Sequence, residues 1–369
     1  MNDKFNIENE DNMEKEKKSK IKKILVNLTI FILLIILTFS LVLKDQDVSQ
    51  IFSVAAKVKK QYILFAVLAM SIYILGEAVN ITRILKELGE KSKLISNIRY
   101  TLIGFFFSAI TPAASGGQPM EIYYMHKDDI SVANSTLALL MQLCSLQIVT
   151  ITVGTISAVI HFEVLKSGLI YLLILGIILN SSALMLLIIA IFSKKLSEGL
   201  IKFAVKLLKF FRIPNVEKKQ EKLEKELESY QTSAKYIKEH KILMLKTVIT
   251  TVVQMIAYYS VPYWIYLAFG LTEYNIFEIL TLQAVLYATV SGIPSPGAVG
   301  VSEGGFLGIF RNAFPETIIS SAMLLTRGAN FYLFIIISAI IVMISTFREK
   351  RIEKKQMQET EVLTEKSEK

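Results

Sequence analysis

The stretch LIYLLILGIILNSSALMLLIIAIF, running from Leu169 to Phe192, contains no charged residue. At a helical rise of 1.5 Å per residue, about 20 such residues cross a hydrocarbon layer roughly 30 Å thick. The segment therefore reads as a membrane-spanning helix. Five further long, mostly apolar stretches follow the same pattern: Ile24–Leu43, Tyr62–Val79, Leu137–Ile160, Leu243–Phe269 and Ile318–Phe347. The 369-residue chain is 53% hydrophobic with mean hydropathy +0.48, more apolar material than one globular core accommodates. The expected fold is all-α, a polytopic integral membrane bundle of about six full spans.

Two other apolar pieces, Leu102–Ile110 and Ile276–Val290, are too short to cross comfortably. Each runs into a break rich in proline and glycine. The first reads Ser108-Ala-Ile-Thr-Pro112-Ala-Ala-Ser-Gly116-Gly117-Gln118-Pro-Met-Glu121, and the second Ser291-Gly-Ile-Pro294-Ser-Pro296-Gly-Ala-Val-Gly300-Val-Ser-Glu303. A short apolar helix, then proline, then glycines, then a glutamate occurs twice, which suggests an internal inverted repeat. Hydrocarbon cannot satisfy free N–H and C=O groups, so irregular backbone at membrane depth must be buried in protein or line a wet cavity. Paired broken helices of this kind point to a transporter-like substrate passage. The alternative is that both are tight turns at the surface.

Lysine and arginine set the orientation, because cytoplasmic loops hold the excess. They crowd the leader, the 83–99 loop, the 193–241 segment and the tail after Arg348, whereas Lys166 stands alone in the 161–168 loop. Both termini are expected in the cytoplasm, although Lys57, Lys59 and Lys60 run against the pattern. Six spans then make the two short pieces re-entrant, the first from the cytoplasm and the second from outside. The expected organisation is a basic cytoplasmic leader at 1–23, a membrane domain at 24–347 and a disordered cytoplasmic tail at 348–369. No small-residue cleavage site follows Ile24–Leu43, so that span reads as a retained anchor. Within 193–241, lysines at 202, 206 and 209 flank an apolar stripe suited to the headgroup layer. Glu217–Glu239 reads as a solvated helix of alternating charge.

Intramembrane ionisable groups are costly and mark function. Arg327 interrupts the span Ile318–Phe347, and its planar fork suits a phosphate or a carboxylate, with Glu303 or Glu121 as the structural alternative. Glu121 and Glu303 follow the breaks, where a carboxylate can also cap a helix. If the broken segments line a passage, then Pro112, Gly116, Gly117, Gln118, Glu121, Pro294, Pro296, Gly300, Glu303 and Arg327 contact its substrate. Glu77, with Arg83 six residues on, reads as interface snorkelling. Tyr258, Tyr259 and Trp264 read as packing.

Several chemistries lack their signatures. There is no phosphate-binding glycine loop with lysine, no His-Glu-x-x-His and no Gly-x-Ser-x-Gly. The single cysteine, Cys144, and the histidines 126, 161 and 240 show no ligand spacing, so no catalytic residue, metal or cofactor is expected. The net charge of +9 is spread around apolar spans, which favours anionic lipid headgroups over nucleic acid as the partner.

The two broken segments, 108–125 and 292–305, resemble the signature segments of the lysylphosphatidylglycerol synthase membrane-domain family, also called the flippase-like domain family. The Leu-x-x-Arg element ending at Arg327 is similar to that family's late arginine motif. The resemblance implies a cell-membrane bundle that moves an anionic or aminoacylated phospholipid, such as lysyl-phosphatidylglycerol, between leaflets. Full-length members carry a following transferase domain; this chain ends about 20 residues after the last span, so the short form is expected. The alternative implied is phosphatidylglycerol lysyltransferase activity, dependent on lysyl-tRNA and linked to cationic peptide resistance, alone or with a separate synthase subunit. A homo-oligomer is compatible with either. Many relatives carry an arginine soon after the first glycine pair, whereas here none occurs between Arg99 and Arg212.

Overall fold

The computed structural model describes Thr29 and residues 53–348, apart from 112–113, 161–168, 196–197, 200–201, 203–204, 207–215 and 294. The leader, nearly all of the expected span Ile24–Leu43, most of residues 199–212 around the lysine stripe, and the tail beyond Arg348 lie outside the described residues. Ten helices are followed here: α1 Lys60–Glu87, α2 Leu94–Ile110, α3 Gly117–Lys127, α4 Val132–Ile160 and α5 Leu169–Phe192. After them come α6 Val216–Glu239, α7 Lys241–Ala268, α8 Ile276–Val290, α9 Val301–Ile309 and α10 Ile319–Arg348. No strand occurs among the described residues.

Five helices, α1, α4, α5, α7 and α10, are long and apolar enough to cross a membrane. They correspond to five of the six expected spans. α5 is the most apolar of the five, and only 17% of its most apolar stretch is buried within the protein. Its exposed Ile174, Ile178, Met185 and Leu186 form a surface too apolar for water and suited to acyl chains. α2 and α8, at 17 and 15 residues, are the two short pieces.

The helix boundaries have local causes. Asn275 caps α8: its side chain accepts from Phe277 N at 2.9 Å and Glu278 N at 3.2 Å. The Glu278 carboxylate in turn accepts from Asn275 N at 2.7 Å, which completes a capping box. α8 then packs against α4, α5 and α7 and buries Leu282, Ala284, Val285 and Ala288. Small residues permit this approach, as they do between membrane helices. A Cβ at Gly154 would fall 2.5 Å from that of Ala288.

Polar contacts join α1, α4 and α7 at their buried faces. Asn80 Nδ2 donates to Gln142 Oε1 at 2.8 Å and to Thr251 Oγ1 at 3.0 Å, and Gln142 Nε2 donates to Gln254 Oε1 at 3.2 Å. Arg83 extends the network toward the helix ends, donating to Asn80 Oδ1, the Lys246 carbonyl and Thr250 Oγ1. Each helix thereby meets side-chain polarity that lipid leaves unsatisfied.

The same order of elements occurs twice. A short helix of 17 residues, a break, a helix of 11 and a span of 29 form α2 to α4. A short helix of 15, a break, a helix of 9 and a span of 30 form α8 to α10. Each break holds an alanine in left-handed backbone, Ala114 at φ 54° and Ala298 at φ 52°, a conformation that side chains other than glycine rarely adopt. The breaks lie close together, because the turn Pro296–Ala298 packs on α2 and Val299 shares a core cluster with Phe106, Phe107 and Ile110.

α6 carries the charged pair Lys225–Glu221 at 2.8 Å, as its pattern of charges leads one to expect, and an amide–carboxylate bond from Gln220 Nε2 to Glu224 at 2.9 Å. It is also docked along one face. Ala234 and Ile237 are buried, Ser233 Oγ donates to Asn134 Oδ1 at 2.8 Å, and Tyr230 donates to the Ala190 carbonyl at 2.8 Å. Burial pushes the Tyr230 hydroxyl up to about 12.

Candidate functional site

α1, α2, α3, α4, α5 and α8 line a partly open cavity of about 360 Å³. Its wall includes Glu77 and Tyr73 from α1, Gln118 and Glu121 from α3, and Gln142 and Gln147 from α4. Asn180 of α5 and Tyr287 and Ser291 at the end of α8 close the far side. No lysine, arginine or histidine lies among these lining residues. The wall thus mixes carboxylates, amides and hydroxyls with the apolar side chains of Phe105, Leu139, Leu143 and Leu146, and it is surrounded by helices whose outer faces are apolar.

The first break sets the position of Glu121. Thr111 Oγ1 donates to the Phe107 carbonyl at 2.6 Å and accepts from Gly116 N at 2.9 Å, which turns the chain back on itself after α2. α3 then lies directly against α2, with Gly104 facing the Glu121 carboxylate; a Cβ at Gly104 would coincide with that group. Gly117 is likewise pressed onto Ser108. Glu121 is 3% exposed, and its Oε2 has no hydrogen-bond partner among the described residues. It sits in the second turn of α3, beyond the capping position.

On α8 the wall is held by Asn180, whose Nδ2 donates to the Gly176 and Ala288 carbonyls at 2.8 and 3.2 Å and to Ser291 Oγ at 3.1 Å. Behind Tyr73 and Tyr287 stand Tyr258 and Tyr259. Ring centroids lie 5.2 Å apart for Tyr73–Tyr258 and 5.3 Å apart for Tyr258–Tyr287. Tyr258 and Tyr259 therefore pack, as expected, and they do so as the outer layer of the cavity wall.

The second break builds a separate polar centre. Gly300, at φ 86°, starts α9, and its N–H donates to Glu303 Oε2 at 2.8 Å. Glu303 Oε1 accepts from Arg327 Nε at 2.8 Å and from the Tyr332 hydroxyl at 3.1 Å. Arg327 Nη2 also donates to the Gly297 carbonyl at 3.1 Å, and its guanidinium lies 4.0 Å over the Phe331 ring. A π-helical turn at Gly328–Tyr332 follows Arg327 and brings both aromatic rings to it; such turns inside α-helices are frequent at functional positions. Glu303 is fully buried and Arg327 is 6% exposed.

The expected site residues thus divide. Gln118 and Glu121 line the cavity. Gly116 and Gly117 shape the turn that delivers them. Pro296, Gly300, Glu303 and Arg327 belong to the second centre and are not part of the cavity wall, and Arg327 is paired with Glu303 rather than Glu121. Pro112 and Pro294 lie outside the described residues.

Glu77 departs from its reading as a snorkelling interface residue. It faces the cavity, and Arg83 turns away to Asn80 and α7. Gln142, Gln147, Asn180, Tyr73 and Tyr287 were not singled out in the sequence. The amides carried a signal, since Gln142, Gln147 and Asn180 are polar residues inside otherwise apolar spans. Among the described residues no group of three or more His, Cys, Asp or Glu comes together.

The family model described as "Lysylphosphatidylglycerol synthase TM region" matches residues 24–338. No curated protein matches the chain.

Proposed function

Since the chain belongs to the lysylphosphatidylglycerol synthase TM region family, we propose that it translocates an aminoacylated phospholipid between the leaflets of the cell membrane, with both termini in the cytoplasm. The observation that carries this reading is the cation-free cavity between membrane helices at the first chain break, whose wall holds Glu77, Glu121, Gln118, Gln142, Gln147 and Asn180. A headgroup crossing hydrocarbon needs such a lining, because each unsatisfied polar group costs several kcal/mol there, on the order of the transfer penalty for an amide. Two carboxylates favour an amine-bearing headgroup of the lysyl-phosphatidylglycerol type over a merely anionic one. A volume of about 360 Å³ accepts a headgroup while the acyl chains remain in lipid.

Two readings of Arg327 were open, contact with the lipid phosphate and an ion pair with Glu303 or Glu121. Its bonds to Glu303 and Gly297 support the second, holding the second break in shape beside the first. A separate synthase subunit that supplies the lipid is consistent with the family's description. The competing reading is that the chain itself makes the lysyl-lipid; lipid extracts from cells expressing only this chain would then contain new lysyl-phosphatidylglycerol.

The test is reconstitution in phosphatidylcholine vesicles containing acyl-labelled lysyl-phosphatidylglycerol or phosphatidylglycerol. Lysyl-phosphatidylglycerol should cross faster than in protein-free vesicles and faster than phosphatidylglycerol. Rates equal to protein-free vesicles for both lipids would overturn the proposal.

A further inference from the structure

Resting on that reading of the cavity, we propose that Glu77 and Glu121 form a proton-binding site that exchanges its proton for the incoming amine, so that lipid movement one way is coupled to proton movement the other way.

The inference starts from an unbalanced charge. Glu121 is 3% exposed and lines the cavity, and its buried Oε2 has no hydrogen-bond donor among the described residues. Glu77 opens onto the same space. A bare carboxylate is expensive at membrane depth, and two sharing one site repel each other. Something must neutralise them when the cavity is empty.

Among the described residues no neighbouring side chain does so. The other titratable groups at the cavity wall are Tyr73 of α1 and Tyr287 of α8, with Tyr258 and Tyr259 of α7 packed behind them. None of them is a cation. On α2, Tyr100 and Arg99 are both bonded to Asp128. Arg83 is held by Asn80, the Lys246 carbonyl and Thr250. Arg327, with Tyr332, is held by Glu303. His126 and Lys127 lie at the far, exposed end of α3.

A proton is the remaining counter-charge, and it is the one a cationic headgroup can replace. When an ammonium group enters, the protonated carboxyl releases its proton to water on the side of entry, and the carboxylate accepts an N–H bond from the ammonium. When the lipid leaves on the opposite side, the carboxylate takes a proton from there. Charge balances at each step, and no covalent bond other than O–H is made or broken. The result is antiport of one proton for one amine.

The coupling is measured in the same vesicles under a pH gradient, with a pH-sensitive dye inside. A gradient of one pH unit is worth about 1.4 kcal/mol per proton, equivalent to about a tenfold ratio of lipid between leaflets. Labelled lysyl-phosphatidylglycerol should accumulate in the leaflet facing the acidic compartment toward that ratio, with proton flow reported by the dye. In Glu121→Gln both the accumulation and the proton flow should be lost, whatever crossing rate remains. Glu77→Gln, which leaves the α2–α3 contact intact, should weaken the accumulation and carries the test if Glu121→Gln does not fold. Equal lipid distribution under a gradient, with crossing still faster than in protein-free vesicles, overturns the coupling and leaves the transport reading standing. No crossing for any headgroup overturns both.

Discussion

Arg327 Nε donates to Glu303 Oε1 at 2.8 Å, and the carboxylate that receives it also closes the N-terminus of α9 through Gly300 N at 2.8 Å. One side chain thus joins two helices across the second break, inside a shell of Phe331 and Tyr332. Removing one member strands the other as a buried charge. Arg327→Met or Glu303→Gln alone should lower stability by about 3–5 kcal/mol, with the double variant costing less than the sum. Thermal unfolding of the four proteins in detergent, arranged as a double-mutant cycle, measures the coupling. Additive losses would show the pair to be incidental.

The contact of Gly104 with Glu121 leaves no room for a methyl group. Gly104→Ala should push α3 off α2, destabilising by about 1–3 kcal/mol and slowing lipid crossing together with it. Gly304 of α9 has open space where its Cβ would be. Gly304→Ala should leave stability within about 1 kcal/mol of the parent or raise it. Comparable losses in both variants would mean that the α2–α3 contact is not the cause.

Asn80 holds α1 to α4 and α7 through three bonds of 2.8 to 3.2 Å. Asn80→Ala leaves the Gln142 carbonyl oxygen and the Thr251 hydroxyl without their donor, at a cost of about 1–3 kcal/mol. Replacing the isolated surface residue Ser71, whose hydroxyl bonds only within its own helix, should cost under about 0.5 kcal/mol. Unfolding midpoints in one detergent compare the two.

α6 supplies a cap to a different helix: Glu226 Oε2 accepts from Ala133 N in the first turn of α4 at 3.1 Å. A carboxylate there offsets the exposed amides and the positive helix end. Glu226→Ala should cost about 0.5–2 kcal/mol, and hydrogen exchange should accelerate at the first amides of α4 while the middle of α4 stays protected. Unchanged exchange at Ala133 would rule the cap out.

Water in the cavity is testable by labelling in a Cys144→Ala background, the native thiol being 3% exposed. A cysteine at Gln147, on the cavity wall, should react with a small charged thiosulfonate. One at Ile156 on the same helix, 58% exposed toward lipid, should not, because the attacking thiolate requires water. Equal reactivity at the two positions would remove the aqueous cavity.

Much of the architecture was legible before any coordinates, because hydrocarbon forces each span to satisfy its own backbone and so writes its length into the sequence. Spans such as Leu169–Phe192 and Lys241–Ala268 fall within a few residues of where hydropathy places them. The two short helices and their breaks were equally plain, since Thr111 to Gly117 and Ser291 to Gly300 lack a helical pattern. Site membership was less readable. Glu121 and Glu303 occupy similar places in the two breaks, yet only Glu121 faces the cavity. Glu77 resembled any acidic residue near a helix end.

Composition and periodicity determined by themselves that this chain lies in a membrane, where five of its long apolar helices run, and where two shorter helices end in breaks. Those are properties of single segments meeting lipid, decided by transfer free energy along the chain. Which carboxylate gains a cation and which stays unpaired was decided only by tertiary packing. Arg327 sits 24 residues from Glu303 and reaches it through the π-turn, whereas Glu121 is brought toward Glu77 by the fold of α3 onto α2. Charges separated in sequence acquire partners through geometry, and no local pattern encodes that geometry.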